Sequence, residues 1–343
     1  MQIIRCDRSH ANAWNAFVQR SPRASFYHRY EWRDVNDQCF GHRSVYLAAV
    51  EDGQIVGVFP FVQLKSLLFG NIACSMPFVN FGGPCGDRDE IEQQLLAAAE
   101  QVANEWRVDY LEIRSQRPLG DRYPSSDHKV SMTVALERDP DVLWNRYKTG
   151  HRQDIRRGYS NGFTTRFGGL ELLDDFFAIL SESWRGLGTP IYRIYYLEKI
   201  LLMFPEHIRL CIVSAKDGTP ASGAFYGLHN DVVEGMWLGT RDRYRRDYVG
   251  YVLYWEMIKD ACEGGYRRFH LGRSTKDSGA ETFKRKWNGE VEQLYWHYIL
   301  RTRTEIPSLN PNNPKYATAI RWWRQMPISA TQMIGPFIAR SLP

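Results

Sequence analysis

Residues 266–287 read YRRFHLGRSTKDSGAETFKRKW, a pattern that predicts a strand, a polar loop and then a short basic helix. Tyr266, Phe269 and Leu271 give the first part the apolar content of a short strand. Gly272 ends that pattern just before a dense set of cations, hydroxyls and one carboxylate. Because functional groups collect at strand ends, we expect a site here for an anionic or acyl-bearing substrate.

Length and composition bound the class of protein. The chain has 343 residues, of which 43% are hydrophobic, so it can bury a sizeable core, and its length predicts two domains. The formal charge of +5 favours anionic partners without requiring nucleic acid. The six cysteines and nine histidines show no metal-ligand spacing, so we predict no metal site and interpret the cysteines as reduced thiols.

The order of landmarks in the first half of the chain recurs in the second half. The equivalent pairs are Tyr27 and Tyr192 (192 − 27 = 165), Asp52-Gly53 and Asp217-Gly218 (165), Gly57-Val58-Phe59 and Gly223-Ala224-Phe225 (166), and Arg114-Ser115 and Arg273-Ser274 (159). An Asp-Gly pair between two strand-like runs is a strong hairpin signal. Chance recurrence is the alternative, but four landmarks in one order favour a duplication. We therefore predict that residues 45–115 and 208–274 are equivalent strand-strand-helix-strand units.

Several motifs carry a family resemblance. They are PFVNFGG at residues 77–83, WRGLGTP at 184–190, LYWE at 253–256, and Arg273-Ser274 followed by Gly279 and FKRKW at 283–287. The last of these is similar to the Phe-Lys-x-x-aromatic signature of FemAB-type proteins. Over nearly its whole length the chain resembles the FemAB-related subgroup that is associated with exosortase (PEP-CTERM) and exopolysaccharide systems.

The resemblance implies an α+β (mixed α/β) fold that consists of two tandem GNAT-like acyltransferase domains. We place the first domain at residues 1–136 and the second, with the active site, at 137–300. A basic aromatic tail at 301–343 has no counterpart in the first copy.

The resemblance selects Lys284 and Arg273 as catalytic residues that stabilise developing charge. Consecutive helical positions are about 100° apart, so Lys284, Arg285 and Lys286 cannot all face one pocket. Glu234 and Asp277 are candidate general bases, with a structural or solvent-exposed carboxylate as the alternative for each.

A further set of residues is predicted to bind the substrate. The glycines and proline of the WRGLGTP motif fix an unusual loop path, which favours a pocket wall over a simple connector. The predicted substrate-binding residues are Arg185, Thr189, Tyr192, Ser274, Thr275, Phe283 and Trp287.

Arg245, Arg246 and Gly250 are the candidate cofactor-binding residues, because GNAT proteins cradle the pyrophosphate of coenzyme A on a glycine-rich turn at this place. Val252 stands where the second small residue of that turn would be, which argues against acetyl-coenzyme A. The resemblance implies aminoacyl-tRNA as the alternative acyl donor. No tightly bound cofactor is predicted, and a solvated basic loop is the other interpretation of the arginines.

A second basic cluster comprises His151, Arg152, Arg156 and Arg157. Arg152 and Arg156 share one helical face at i, i+4 spacing, where a phosphate or a tRNA backbone could bind. A solvent-facing helix surface explains the same residues equally well.

No apolar run has the length of a signal-peptide core or of a membrane span, so we expect a cytoplasmic protein. The tail nevertheless mixes arginines with Trp322, Trp323 and other apolar residues, a composition typical of segments that lie in a membrane interface. Pro327 and Pro336 interrupt any single long helix, which favours docking on the protein. Peripheral contact with the inner face of the membrane is the alternative.

Two classes of function remain from the sequence. The first is an enzyme that transfers an acyl or aminoacyl group from an anionic donor to an amine of a cell-envelope or exopolysaccharide precursor, and tRNA is then a partner. An acetyl-coenzyme A-dependent N-acetyltransferase is a variant of this reading. The second class is a non-catalytic binding module of polysaccharide biosynthesis, since a fold does not fix a function.

Overall fold

A computed structural model describes residues 1–66, 69–307 and 314–343, with side chains described outside 314–316. The fold is mixed α/β, as predicted. The strands are β1 (Gln2–Arg5), β2 (Ser44–Glu51), β3 (Gln54–Ser66), β4 (Gly70–Cys74), β5 (Cys85–Gly86), β6 (Tyr110–Ser115), β7 (Ser125–Ala135), β8 (Thr164–Gly168), β9 (Ile208–Ser214), β10 (Pro220–His229), β11 (Val232–Thr240), β12 (Arg268–His270), β13 (Ser274–Thr275) and β14 (Glu290–Leu300).

The α-helices lie mainly between these strands. They are α1 (Ala11–Arg20), α2 (Trp32–Phe40), α3 (Asp89–Glu105), α4 (Pro140–Arg146), α5 (Thr149–Ser160), α6 (Leu173–Leu187), α7 (Ile194–Met203), α8 (Val249–Glu263), α9 (Gly279–Arg285), α10 (Pro314–Gln325) and α11 (Ile328–Ala339). Short 3-10 turns precede several of them, for example at Asp242–Asp247 before α8.

The chain forms two compact units. Unit 1 comprises Met1–Val130, Glu292–Ser308 and Arg340–Pro343, and unit 2 comprises Ser131–Val291 and Leu309–Ala339. These units differ from the predicted domains, because residues 292–300 were assigned to the second domain and 131–136 to the first.

In unit 1 the strand order is β1-β2-β3-β4-β6-β14, and all neighbours are antiparallel except the parallel pair β4 and β6. Helix α3 buries Leu95 and Ala99 against Phe59 and Leu111 on one face of this sheet. Helix α1 covers the other face with an apolar stripe that includes Trp14. The sheet of unit 1 thus has a helical layer and a separate core on each side.

Unit 2 repeats this plan with the strand order β8-β9-β10-β11-β12-β7, in which β11 and β12 are the parallel pair. Helix α8 packs on one face through buried residues such as Val252 and Ile258. Helix α6 packs on the other face, where Gly223 and Gly239 leave room for it. A side chain at either glycine would press against α6, which explains the small residues in these strands.

The structure confirms the predicted repeat. Asp52 lies in the turn between β2 and β3, and Asp217 lies in the turn between β9 and β10, the same topological place. The two turns differ in length, since β3 begins directly after Gly53 whereas a five-residue loop, residues 215–219, separates β9 from β10.

One landmark is shifted by a residue. Leu111 and Ile113 are core residues of β6, and Phe269 and Leu271 hold the same places at β12, an offset of 271 − 113 = 158. Arg114 therefore corresponds to Gly272 and not, as predicted, to Arg273.

The last strand of each half belongs to the other unit. Residues 131–135 of β7, which follow the first copy in sequence, pair with β12 in unit 2. Residues 292–300 of β14, which follow the second copy, pair with β6 in unit 1. Both strands are placed by pairing with strands that are distant in the sequence, which a local sequence pattern does not specify.

The tail docks on unit 2, the interpretation that the sequence favoured. Helices α10 and α11 pack on α6, and Trp323 is buried there. Pro327 separates the two helices as expected, but Pro336 lies inside α11 and does not end it. The two ends of the predicted tail, residues 301–307 and 340–343, lie in unit 1, and residues 308–313 fall outside the described part of the chain.

Candidate active site

At the centre of unit 2 the two parallel strands, β11 and β12, separate, and we call the opening between them the fork. Strand β11 pairs with β12 only from Val232 to Glu234 and then continues to Thr240. On its other edge the register with β10 shifts, because Phe225 faces Trp237 while Tyr226 faces Gly235. Met236 is therefore the extra residue of a β-bulge. The extra residue of a bulge is left out of the hydrogen bonding between strands, and bulges are frequent next to active sites. The Met236 amide is therefore a candidate donor to a ligand in the fork.

Glycine is required where the fork opens. Gly272 has a φ of +76°, and a Cβ atom there would lie 2.7 Å from the carbonyl oxygen of Gly235. No other residue fits such a close approach in the left-handed region without strain. The sequence pattern ended the strand at Gly272, and the structure gives the physical reason.

Lys284 of α9 reaches this strand end from the side. Its Nζ donates to the carbonyl oxygens of Gly272 at 2.7 Å and Arg273 at 3.1 Å. The side chain is buried. Burial, with a smaller contribution from the Arg273 guanidinium, lowers the Lys284 pKa to about 7. Near neutral pH both the amine and the ammonium are therefore populated, an unusual property for a lysine and one that is frequent at functional sites.

The two neighbouring cations point elsewhere. Arg285 is exposed and forms an ion pair with Glu281 at 2.6 Å. Lys286 is exposed and donates to the Tyr251 hydroxyl at 2.7 Å. Of the three consecutive cations only Lys284 is buried, which agrees with the helical geometry used to single it out.

A buried acid–base pair lies at the base of the fork. Glu234 and His270 face each other across the last pair of β11 and β12, and Oε2 of the first lies 3.1 Å from Nδ1 of the second. Both side chains are almost completely buried. The same Nδ1 accepts a hydrogen bond from the Gly272 N–H at 3.3 Å, whereas Glu234 Oε2 has no hydrogen-bond partner among the described residues. Sequence reasoning listed Glu234 as a candidate base but could not pair it with His270, which is 36 residues away (270 − 234).

The remaining residues of the predicted basic helix form an aromatic wall. Trp287 has no exposed surface and stacks on Tyr254 with ring centroids 5.5 Å apart. Phe283 is only partly buried and lies beside Gly250, where a Cβ atom would be 3.7 Å from its ring. Trp287 therefore supports the site from below, while Phe283 can line it. Ser274 and Thr275 form the two-residue strand β13, and the Ser274 hydroxyl is buried without a hydrogen-bond partner among the described residues.

His151 belongs to the same aromatic group and not to a solvent-facing helix surface. Its ring lies 4.5 Å from that of Trp287, and it is buried. Neither ring nitrogen has a hydrogen-bond partner within the described part of the chain. Burial, followed by repulsion from Lys286, lowers the pKa of His151 to about 4, so the imidazole is neutral at pH 7. The grouping with Arg156 and Arg157, which are exposed, was wrong for this residue.

The first turn of α8 is partly covered. Val252 is fully buried, and a Cβ atom on Gly158 of α5 would lie 2.5 Å from its Cγ2 and 3.0 Å from the Tyr248 carbonyl oxygen. Gly250 stays accessible next to Phe283. Arg245 and Arg246 lie on the exposed turn before α8, and Arg245 forms an ion pair with Asp242 at 2.8 Å.

The structure does not bring together Arg185, Thr189 and Tyr192, which were predicted in and after the WRGLGTP motif to form one wall of a pocket. Arg185 donates from Nη1 to the Met326 carbonyl oxygen at 3.2 Å, so it anchors the tail. The Thr189 amide donates to the Trp184 carbonyl oxygen within its own loop. Tyr192 is the one that approaches the fork, because its ring lies 6.2 Å from that of Trp237 on β11.

Comparisons with known proteins agree with this architecture. Residues 145–285 match the family model described as "Acetyltransferase (GNAT) domain". This match confirms the prediction of an acyltransferase domain in the second half of the chain. No curated protein sequence is significantly similar to the chain.

The solved structures that are similar to the chain include FemX, a lysylphosphatidylglycerol synthetase domain and a tandem GNAT protein. FemX is 15% identical with a TM-score of 0.66, and the alignment covers 93% of this chain and 100% of FemX. The C-terminal domain of a putative lysylphosphatidylglycerol synthetase from Agrobacterium fabrum is 13% identical with a TM-score of 0.57, covering 84% and 92%. A tandem GNAT protein from the clavulanic acid biosynthesis pathway is 13% identical with a TM-score of 0.54, covering 89% and 99%. At these identities the likeness establishes the tandem fold alone.

Proposed function

We propose that the GNAT domain of this chain transfers an acyl or aminoacyl group to an amine of a cell-envelope or exopolysaccharide precursor. The observation that carries the proposal is the Lys284 amine, which is buried at the open end of β12 with a pKa of about 7. A buried cation with no carboxylate bonded to it destabilises the fold, and such groups persist where chemistry needs them.

The reaction makes one bond and breaks another. The neutral amine of the acceptor attacks the acyl carbonyl carbon, a C–N bond forms, and the C–O bond of an ester donor or the C–S bond of a thioester donor breaks. The attacking nitrogen loses a proton and the leaving oxygen or sulfur gains one. Catalysis therefore needs donors for the carbonyl oxygen, a route for the proton and two bound substrates in contact.

The residues at the fork can supply the first two requirements. The Lys284 ammonium and the Met236 amide are the groups that would stabilise negative charge on the carbonyl oxygen, and one well-placed donor contributes about 3 kcal/mol to such catalysis. The Glu234–His270 pair would accept the proton from the attacking amine. Arg273 acts through Lys284, since its charge lowers the Lys284 pKa.

The packing of α5 against the first turn of α8 supports aminoacyl-tRNA over coenzyme A as the donor. A pyrophosphate bound at a helix N-terminus needs the backbone N–H groups of the first turn. Here α5 lies against that turn at Gly158, and Val252 fills the contact. Arg156 and Arg157 are exposed on the same α5, where they would suit the phosphates of a tRNA. The description of the matching family favours the alternative, an acetyl-coenzyme A-dependent transfer.

A transfer assay with matched variants tests the proposal. The protein is mixed with an envelope-precursor extract and either tRNA charged with radiolabelled amino acids or radiolabelled acetyl-coenzyme A. We expect label from charged tRNA to enter the precursor fraction as an acid-stable amide. Lys284→Met should lower the rate about 100-fold, whereas Arg285→Met, which removes the neighbouring exposed cation, should leave it unchanged.

Each contrary result has a distinct meaning. Transfer from acetyl-coenzyme A alone, with stoichiometric binding by calorimetry, would replace the donor assignment by the N-acetyltransferase alternative. Full activity of a folded Lys284→Met protein would overturn the catalytic role of this residue. Specific binding of a precursor without transfer from either donor would favour the non-catalytic binding module.

A further inference from the structure

The tail of unit 2 presents a strongly apolar surface to solvent. Four side chains on α10 and α11, which we call the outward tail face, carry large exposed fractions: Trp322 66%, Met333 68%, Ile334 38% and Phe337 62%. On α11 the spacing from Met333 to Phe337 is i, i+4, so these two side chains share one side of the helix.

Packing within unit 2 does not explain this face. The opposite side of α11 is the one that meets the protein, because Gln332 donates to the Ser181 hydroxyl at 3.0 Å and Gly335 is pressed against the Ile191 backbone. Trp323 is buried next to the exposed Trp322. The tail helices are thus anchored by one side and keep a second apolar side that this unit leaves uncovered.

An apolar residue of a neighbouring segment extends the surface. Leu187, at the end of α6, is 52% exposed. The Leu187 carbonyl oxygen accepts a hydrogen bond from Arg324, which joins that residue to α10. Five of the twelve large hydrophobic side chains that are exposed in the described part of the chain are Leu187 and the four residues of the outward tail face. Such a concentration marks an interaction surface, since exposed apolar residues normally occur singly.

The charged side chains of the tail helices have one sign. Residues 306–343 contain no aspartate or glutamate. Arg321 and Arg324 are exposed on α10, and the Arg193 guanidinium lies 5.7 Å from the Phe337 ring. Tryptophan and phenylalanine flanked by arginines suit the boundary between lipid headgroups and acyl chains, where the rings enter the apolar layer and the guanidinium groups meet phosphates.

We propose that the outward tail face seats this protein on the surface of a membrane that contains anionic lipid. No helix within the described ranges is long and apolar enough to cross a bilayer, so the contact is at the surface. The proposal does not depend on the acyl transfer proposed above. If both hold, docking brings unit 2 to precursors that are anchored in lipid.

Vesicle co-sedimentation of the full chain tests the proposal. The vesicles contain phosphatidylcholine alone or with about one third phosphatidylglycerol. We expect binding to the anionic vesicles that weakens with added salt. Phe337→Glu should lower the partition coefficient at least about tenfold, because it places a charge in the apolar layer. Arg321→Glu should lower it about fivefold or more, since each cation near an anionic surface contributes about that factor.

The matched control is Leu170→Glu, which changes a side chain of unit 2 that is 47% exposed but lies outside the tail. It should bind vesicles as the wild type does, and melting curves should show that all variants are folded. Absence of binding by the wild type, or equal binding by Phe337→Glu, would overturn the proposal. Concentration-dependent self-association that Phe337→Glu abolishes, without any vesicle binding, would assign the face to a second copy of the chain instead.

Discussion

Unit 1 and unit 2 share a strand plan but differ at the end of their parallel strand pair. In unit 2, β11 runs six residues past its last pair with β12, from Gly235 to Thr240. In unit 1, β4 ends at its last pair with β6, and the buried residues 75–84 follow at once. These residues close over Arg114, whose backbone N–H donates to the Ser75 hydroxyl and whose carbonyl oxygen accepts from Gly82. The chain itself thus occupies in unit 1 the place where unit 2 has its fork.

The two units also differ in the partners of a buried cation. Arg114 of unit 1 forms an ion pair with Glu112 at 2.8 Å, and its guanidinium lies 4.5 Å from the Trp296 ring. Among the described residues, the hydrogen-bond partners of Lys284 in unit 2 are the carbonyl oxygens of Gly272 and Arg273. A compensated charge serves the fold, whereas a charge held by neutral dipoles keeps a responsive pKa. The comparison shows one scaffold in both units, and it supports our proposal that the chemistry takes place in unit 2.

The largest effect that would test this contrast is on the stability of unit 1. Arg114→Met leaves the Glu112 carboxylate buried without its cation, so we expect a loss of about 3–5 kcal/mol in the free energy of unfolding. Urea denaturation measures it. At temperatures where the variant is folded, transfer activity should match that of the wild type.

The double variant Arg114→Met with Glu112→Leu serves as the control. It removes both charges and should recover much of the loss, because an apolar pair of similar volume needs no compensation. If the folded Arg114→Met protein loses transfer activity, unit 1 takes part in the chemistry and the division of roles between the units fails.

How much of this could be predicted from the sequence depends on whether the signal is local. The Asp-Gly turns at residues 52–53 and 217–218 placed both hairpins correctly, because turn chemistry depends on adjacent residues. The stretch after Gly272 predicted a strand end with functional groups. The Phe-Lys-x-x-aromatic resemblance singled out Lys284, which is the buried one of three consecutive cations.

Features that depend on distant partners were not predictable. The exchange of β7 and β14 and the Glu234–His270 pair are set by long-range strand pairing. The burial of His151 depends on ring contacts with Trp287, which is distant in the sequence. Arg185 was assigned to a pocket because its loop is unusual, but the loop is shaped to hold the tail.

A second prediction concerns the pH dependence of Lys284. Its pKa of about 7 in the folded protein lies below the usual lysine value, so between pH 7 and the unfolded pKa the unfolded chain binds more protons. The free energy of unfolding should therefore rise with pH in this window. Relative to Lys284→Met, which lacks the titrating group, the wild type should gain about 3 kcal/mol between pH 6 and pH 9.

Urea titrations at both pH values provide the measurement. Arg285→Met keeps Lys284 and should follow the wild type, since arginine does not titrate in this range. Parallel curves for the wild type and Lys284→Met would mean that Lys284 is charged throughout, and the contrast between the two buried cations would disappear.

The smallest effect tests whether the two hairpins are equivalent. Gly53 and Gly218 have φ angles of +77° and +81°, and a Cβ atom at either position would meet no atom within 4 Å. The only cost of Gly53→Ala or Gly218→Ala is then the left-handed conformation itself, about 1–2 kcal/mol for each. Because this cost is local, it should be equal in the two variants although the turns differ in length, and neither variant should change transfer activity. Scanning calorimetry of the single and double variants gives the three values, and the two single losses should add within about 0.5 kcal/mol, as expected for distant sites. A loss at Gly218 that clearly exceeds the loss at Gly53, or one that comes with reduced transfer, would mean that the hairpin of unit 2 has been adapted to the site and is no longer a plain copy of the hairpin in unit 1.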